Sequence, residues 1–191
     1  MAITKEAIVK ASLNILNRDG IENLSMRTLA KELNIKASSI YWHIKNKQEL
    51  YDLIAEHLTQ KISLPEATDD PKEALTSLAL EFRRVLLTTR DATEIFARSL
   101  PFTPFRIKII KFVLDALIKY GVSPKNCLTA GNLLNNYVLS FVADEIRSMY
   151  ISSEEAKKLE ELLDKQFELN LDFDEQFLYG LKVLFAGLLI E

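Results

Sequence analysis

The chain has 191 residues, 48% of them hydrophobic and 27% charged, with a formal net charge of −3. That size is ample for a buried core in one large or two small units, and the mixture is ordinary for a globular protein. Five glycines and five prolines are too few for the turns of a β-rich fold, and no apolar run reaches the ~18 residues that span a bilayer. Charges recur through residues 1–20, so no signal peptide is expected, and a lone cysteine, Cys127, excludes an internal disulfide and a Cys-rich metal site. The expected location is cytoplasmic. Charge is uneven along the chain: residues 1–61 carry nine Lys/Arg against seven Asp/Glu, and the remainder fifteen against twenty. The sign suits DNA contact near the N-terminus.

In chain order, Ala7, Ile8, Ala11, Leu13, Ile15 and Leu16 keep a helical period, with Thr4 as cap and Gly20 as stop. Ser25 opens a second helix through Leu29, Ala30 and Leu33; Thr28 stands where a full capping box would need an acid or amide. Asn34 is the expected left-handed stop. A third short helix covers Ala37 to His43, and Lys45-Asn46-Lys47 leads into a fourth with Leu50, Leu53, Ile54 and Leu58 on one face. Residues 62–72, with Pro65, Asp69, Asp70 and Pro71, form the best linker. Longer amphipathic stretches follow near 72–90, 102–120, 124–150, 153–168 and 174–190. The expected fold is all-α, about nine or ten helices with no strand.

Two short helices joined by a tight turn, the second opening on small polar residues, have the layout of a helix-turn-helix. A recognition helix must push its N-terminal residues into a major groove only ~12 Å wide. Ala37, Ser38 and Ser39 are small enough to let the backbone approach, and serine hydroxyls bond to base edges or phosphates. Ile40 should face inward. Tyr41, His43 and Lys47 suit phosphate contact, and Arg27 of the preceding helix can reach a base edge or the backbone. The competing interpretation is a helical hairpin that merely packs. Trp42 reads first as core or phosphate-edge packing rather than as a base reader.

The stretch "ASLNILNRDG" from Ala11 and "LSMRTLAKELNIKASSIYWHIKNKQEL" from Leu24 to Leu50 resemble the DNA-binding domain of the tetracycline-repressor family in helix count, spacing and residue type. The resemblance implies a DNA-facing set of Arg27, Thr28, Ala37, Ser38, Ser39, Tyr41, Trp42, His43 and Lys47. It also implies a helix-turn-helix domain over 1–46 and a regulatory domain over 47–191, with residues 47–61 as connecting helix. Met26 stands where a DNA-contacting threonine is expected, Ala37 replaces a base-reading glutamine and Ser38 a proline. The operator sequence should therefore differ from that of the tetracycline-binding member. Asn34 replaces the usual turn glycine.

Further along, Leu128, Leu133, Leu134, Tyr137, Val138, Phe141, Val142 and Ile146 give 127–149 a wide apolar face. The last helix, Phe177–Ile190, is apolar nearly all round apart from Lys182, and must be covered on all sides. Gly180 and Gly187 allow close helix approach. A homodimer through the helices near 124–150 and 174–190 follows, and suits a palindromic operator. The alternative is a central helix of a monomeric core.

"YGVSPKNCLTA" from Tyr120 and "FLYGLKVLFAGL" from Phe177 extend the family resemblance over most of the chain. The tetracycline-binding member holds a magnesium chelate with histidine and polar side chains. Here the resemblance implies Phe96 in place of the metal-binding histidine, Leu100 in place of an arginine and Phe112 in place of a glutamine. Phe82 matches a pocket phenylalanine, Asn136 replaces a histidine from the partner subunit, and Asp144 replaces an acid. The implied ligand set is Phe82, Phe96, Leu100, Ile109, Phe112, Val113, Leu133, Asn136, Tyr137 and Asp144, with Asn136, Tyr137 and Asp144 as its polar anchors. The expected effector is small, largely apolar and metal-independent, and no cofactor or metal is expected.

The function expected is a ligand-responsive transcriptional regulator, a repressor by family precedent, with double-stranded operator DNA, a second copy of itself and a small molecule as partners and no membrane. An enzyme is not expected: there is no Gly-rich phosphate loop, no paired histidine ligands and no nucleophile beside a base. A constitutive DNA-binding protein without ligand is the alternative, and an interior cavity within residues 78–145 would separate the two.

Overall fold

The computed structural model describes residues 3–65, 70–162 and 172–189. Local chemistry sets most helix ends. Thr4 caps α1 (Lys5–Asp19), its hydroxyl accepting the Ala7 N–H at 3.2 Å, and Gly20 closes it at φ +81°. A short 3-10 turn over Ile21–Asn23 leads to α2 (Met26–Glu32). The capping box judged incomplete is in fact closed. The Thr28 N–H donates to the Ser25 hydroxyl at 3.1 Å, and the Ser25 N–H donates back to the Thr28 hydroxyl at 2.9 Å. Threonine's Oγ1 thus serves where a longer acid or amide is usual. Asn34 takes φ +52°, the expected left-handed stop. The next helix, α3 (Ala37–Tyr41), is shorter than the run to His43 that the sequence suggested, because the chain turns after Trp42. Asn46 caps α4 (Lys47–Thr59), accepting the Glu49 N–H at 2.9 Å, while the Glu49 carboxylate accepts the Lys45 N–H at 2.8 Å.

The remaining helices are α5 (Pro71–Leu87), α6 (Ala92–Arg98), α7 (Pro104–Tyr120), α8 (Cys127–Ser148), α9 (Ser153–Leu162) and α10 (Phe173–Gly187). No strand occurs among the described residues, and the all-α expectation holds. The stretches foreseen near 72–90, 102–120, 124–150 and 174–190 are α5, α7, α8 and α10. Of the stretch at 153–168, residues 163–168 lie outside the described residues, as do Asp69 of the linker and Ile190 of the last helix. The short α6 went unforeseen, since seven residues make two turns, too few to display a period.

Ile8, Leu16, Leu24, Leu29, Ile40, Ile44, Leu50 and Ile54 are completely buried and knit α1–α4 together. One face of α4 closes this unit and another meets α5, α6 and α7. Beyond it, α5 and α8 pack on each other and on α7 and α10, around Val85, Ile95, Leu117, Val142, Phe177 and Phe185.

One ionic cluster sits inside this apolar packing. Arg83 of α5 donates from Nε and Nη2 to both oxygens of Glu145 of α8, at 2.8 and 2.7 Å, and from Nη1 to Asp174 of α10 at 2.6 Å. Arg83 and Glu145 are both buried, and the rings of Phe141 and Phe177 flank the guanidinium at 5.7 and 5.1 Å. The hydrogen bonds Arg83 donates to Glu145, foremost, hold it protonated above the usual arginine range. Three helices are thereby tied at one point. Nearby, the Tyr137 hydroxyl donates to the Phe177 carbonyl at 2.9 Å, and a Cβ at Gly180 would come within 2.7 Å of the Tyr137 ring Cε2. Gly180 therefore permits the close approach of α10 to α8. Gly187 meets nothing, and Leu178, Tyr179 and Val183 of α10 stay exposed, as do Leu128 and Leu133 of α8.

Candidate functional site

Two regions gather the residues singled out from the sequence. The first is the outer face of α2, α3 and the start of α4. Ile40 and Ile44, both fully buried, pin α3 to the small core, and that registration turns Ala37 and Ser38 outward at its N-terminus with Ser39 half-buried beside them. Arg27 and Lys47 are exposed, and the Lys47 ammonium rests 5.5 Å above the Tyr51 ring. Tyr41 is 52% exposed and Trp42 90%. The core option for Trp42 is thus removed: Leu29, Ile40 and Ile44 already fill that interior, and the indole stands at the rim. His43 is half-buried and borders a hollow of about 320 Å³. Thr28 differs from the rest, because its hydroxyl is consumed by the capping box and by donation to the Asn23 carbonyl at 2.6 Å.

Charge reinforces this face. Residues 27–47 contain Arg27, Lys31, Lys36, Lys45 and Lys47 against the single acid Glu32, which is paired with Arg18 at 2.9 Å. None of those five cations forms an ion pair among the described residues. Unpaired cations around small outward side chains offer sequence-independent attraction to phosphates next to a closely approaching helix tip.

The second region is a cavity of about 600 Å³ between α5, α6, α7 and α8. Phe82 and Phe96 pack edge to face on its wall with ring centroids 4.9 Å apart. Of the ten ligand residues expected, Phe82, Phe96, Ile109, Val113 and Asn136 line it. Leu100, Phe112, Leu133, Tyr137 and Asp144 do not. Leu100 borders the smaller hollow, Leu133 faces outward, Tyr137 is spent on α10, and Asp144 pairs with Arg147 at 2.6 Å on the surface. The half-buried Phe112 also lies outside the lining. Residues that sequence comparison passed over complete the wall: Leu75, Leu78, Ser99, Arg106, Ile110 and Leu139 among them. Among the described residues Arg106 is the one charged residue on it, and burial pushes its guanidinium below the ordinary arginine range against the pull of Asp52 and Glu56. Among the described residues, none on the lining is a carboxylate, an imidazole or a thiol. The donor set therefore contains none of the usual metal ligands.

Hydrogen bonds connect the two regions through α6. At its start, Asp91 adopts φ +58° and its carboxylate accepts the Ile21 N–H at 2.7 Å, while the Arg90 N–H donates to Asn17 Oδ1 at 3.1 Å. At its end, Gln48 of α4 donates to the Arg98 carbonyl at 2.7 Å and Asp52 accepts the Leu100 N–H at 2.6 Å. One turn further along α4, Glu56 accepts the N–H groups of Phe105 and Arg106 at 2.9 and 3.3 Å. It thereby caps α7 in place of Thr103, whose buried hydroxyl oxygen has no partner. Phe96, midway along α6, lines the cavity.

A cationic helix-turn-helix joined in this way to a hollow helical bundle defines the class of helix-turn-helix transcription regulators. The chain matches the family described as bacterial regulatory proteins, tetR family, over residues 8–54, and the tetracyclin repressor-like C-terminal domain over residues 64–191. It belongs to the tetR family. An HTH-type transcriptional regulator of Saccharopolyspora erythraea is 33% identical over 75% of this chain, which spans 61% of that protein. The class D tetracycline repressor protein of Escherichia coli is 27% identical over 99% of this chain and 90% of its own length. The structure of the tetR-family protein ActR of Streptomyces coelicolor with actinorhodin superposes with a TM-score of 0.87 at 26% identity, covering 99% of this chain and 98% of that one. These relatives are transcriptional regulators, not enzymes. No helix among the described residues is long and apolar enough to cross a membrane.

Proposed function

We propose that the protein is a ligand-responsive transcriptional repressor that binds a palindromic operator as a homodimer and is released by a small, largely apolar, metal-independent effector. The observation that carries the ligand-responsive part is the apolar cavity of about 600 Å³, large enough for a drug-sized molecule. A constitutive DNA-binding protein would have no use for such a hollow. Phe96, where the tetracycline-binding member has a metal-binding histidine, packs its ring edge against Phe82 and cannot ligate a cation.

Residues 1–46 act as the reading unit and 47–191 as the regulatory unit. Ala37, Ser38 and Ser39 reach base edges; Arg27, Tyr41, Trp42, His43 and Lys47 hold the duplex at its rim. Thr28 belongs to the helix start rather than to the DNA. Dimerisation uses the uncovered side of α8 and α10, where Leu128, Leu133, Leu178, Tyr179 and Val183 are exposed in the single chain. Two reading units then meet successive major grooves ~34–36 Å apart. A ligand in the cavity favours an arrangement in which α4 tilts and that spacing is lost, a coupling of about 1–3 kcal/mol per site.

The test has three parts. Light scattering should give twice the chain mass. Selection of bound duplexes from a random pool should return an inverted repeat. A compound screen against that repeat should find molecules that abolish binding. A monomer, or indifference to every duplex at low salt, would overturn the reading.

A further inference from the structure

Two arginines of the regulatory unit, the buried Arg83 and the half-buried Arg106, are treated differently. Arg83 is engaged at every nitrogen, with Glu145 and Asp174 accepting from all three of its guanidinium nitrogens. Arg106 is not. Its Nη1 donates to the Ser99 hydroxyl at 2.6 Å and the Leu100 carbonyl at 3.0 Å, both neutral, and its guanidinium carbon stands 5.2 Å over the Phe96 ring. Nε and Nη2 make no hydrogen bond among the described residues, and no carboxylate lies within ion-pair distance. The nearest acids are committed elsewhere: Asp52 to the Leu100 N–H and Gln48, Glu56 to the N–H groups that open α7. Both acids border the smaller hollow on the side of the reading unit, not the cavity.

We propose that the effector is an organic acid: an apolar body that fills the cavity and one carboxylate, or comparable anionic group, that pairs with Arg106. This rests on the cavity being the effector site. A half-buried guanidinium on an apolar wall, with acids near enough to attract it but none paired to it, has donors to spare, and a bidentate carboxylate is the partner that matches its planar fork. Among the described residues, the wall presents that one charge and no acid to repel an incoming anion. The edge of Phe82 against Phe96 supplies an aromatic surface beside it. An arginine serving only to brace the 99–106 loop would need Nη1 alone. The two idle nitrogens are what an anion would use.

Calorimetry on the full-length wild-type protein with two matched pairs, naphthoate against naphthamide and dodecanoate against dodecanamide, tests this. In at least one pair the acid should bind about tenfold or more tightly than its neutral amide. Arg106→Met should erase that preference while the amide binds as before, and Arg106→Lys should keep part of it. Thermal melts check that each variant is folded, and the wild-type comparison of acid with amide needs no variant at all. Ala79→Phe, which fills the cavity, should abolish both ligands. Equal affinity for acid and amide, a preference that survives Arg106→Met, or acid binding that survives Ala79→Phe would each refute an acidic effector while leaving the cavity reading standing. If no probe of either kind binds the wild type, the cavity reading fails and the acid with it.

Discussion

The reading unit and the regulatory unit use apolar residues in opposite ways. Across α1–α4 the central aliphatic side chains, Ile8, Leu16, Leu29, Ile40 and Ile54 among them, are at zero exposure and pack on one another. In α5–α10 the aromatic and aliphatic residues surround a hollow of about 600 Å³ and leave a strip of α8 and α10 uncovered. A filled core fixes the relative positions of helix tips that must fit a groove. A hollow one keeps stability in reserve that a ligand or a second subunit can add. The same chemistry of burial yields a rigid tool in one place and an adjustable frame in the other.

The widest gap should appear when one truncation is made on both sides. Ile40→Ala, in the filled core, should cost about 4 kcal/mol in urea denaturation, whereas Ile109→Ala, which borders existing space, should cost about 1 kcal/mol. Equal costs would erase the distinction. Next comes the ionic tie of the regulatory unit. Glu145→Ala leaves Arg83 buried with only the largely exposed Asp174, and should lower stability by about 3 kcal/mol. Smaller effects belong to the reading face. Lys47→Ala should weaken binding to every duplex by about 1 kcal/mol and reduce the salt slope by about 0.9, while Ser39→Ala should change sequence preference with little change in slope. Competition assays at several salt concentrations separate the two. The least effect is expected from Asn34→Gly, where the left-handed backbone already suits glycine: a gain of a few tenths of a kcal/mol, read as a slight rise in melting temperature.

How much could be read from residue order also divides along this line. In the reading unit nearly every feature is local. Caps at Thr4 and Ser25, stops at Gly20 and Asn34, and an inward Ile40 lie within a few residues of what they govern, so pattern alone placed them. Even there, Thr28 as capping partner escaped because threonine is not the customary residue in that role. In the regulatory unit the decisive contacts are remote. Arg83 meets Glu145 and Asp174 across 62 and 91 residues, and no window of sequence signals that. Matching along the chain found Phe82, Phe96, Ile109, Val113 and Asn136 at the cavity but placed Tyr137 and Asp144 there as well, since a family position does not say which way a side chain turns in this chain. Arg106 was passed over for the same reason: it has no counterpart among the ligand residues carried across, and only its surroundings mark it.

The short α6 is a rod about 10 Å long pegged at both ends, by Asp91 on Ile21 of the reading unit at one end and by Gln48 and Asp52 of the connecting helix α4 at the other. A splint fastened at a single end could swing freely and its motion would die away locally. Fastened at both, it has only two responses when something swells beneath Phe96: snap a peg, or take the whole head along with it.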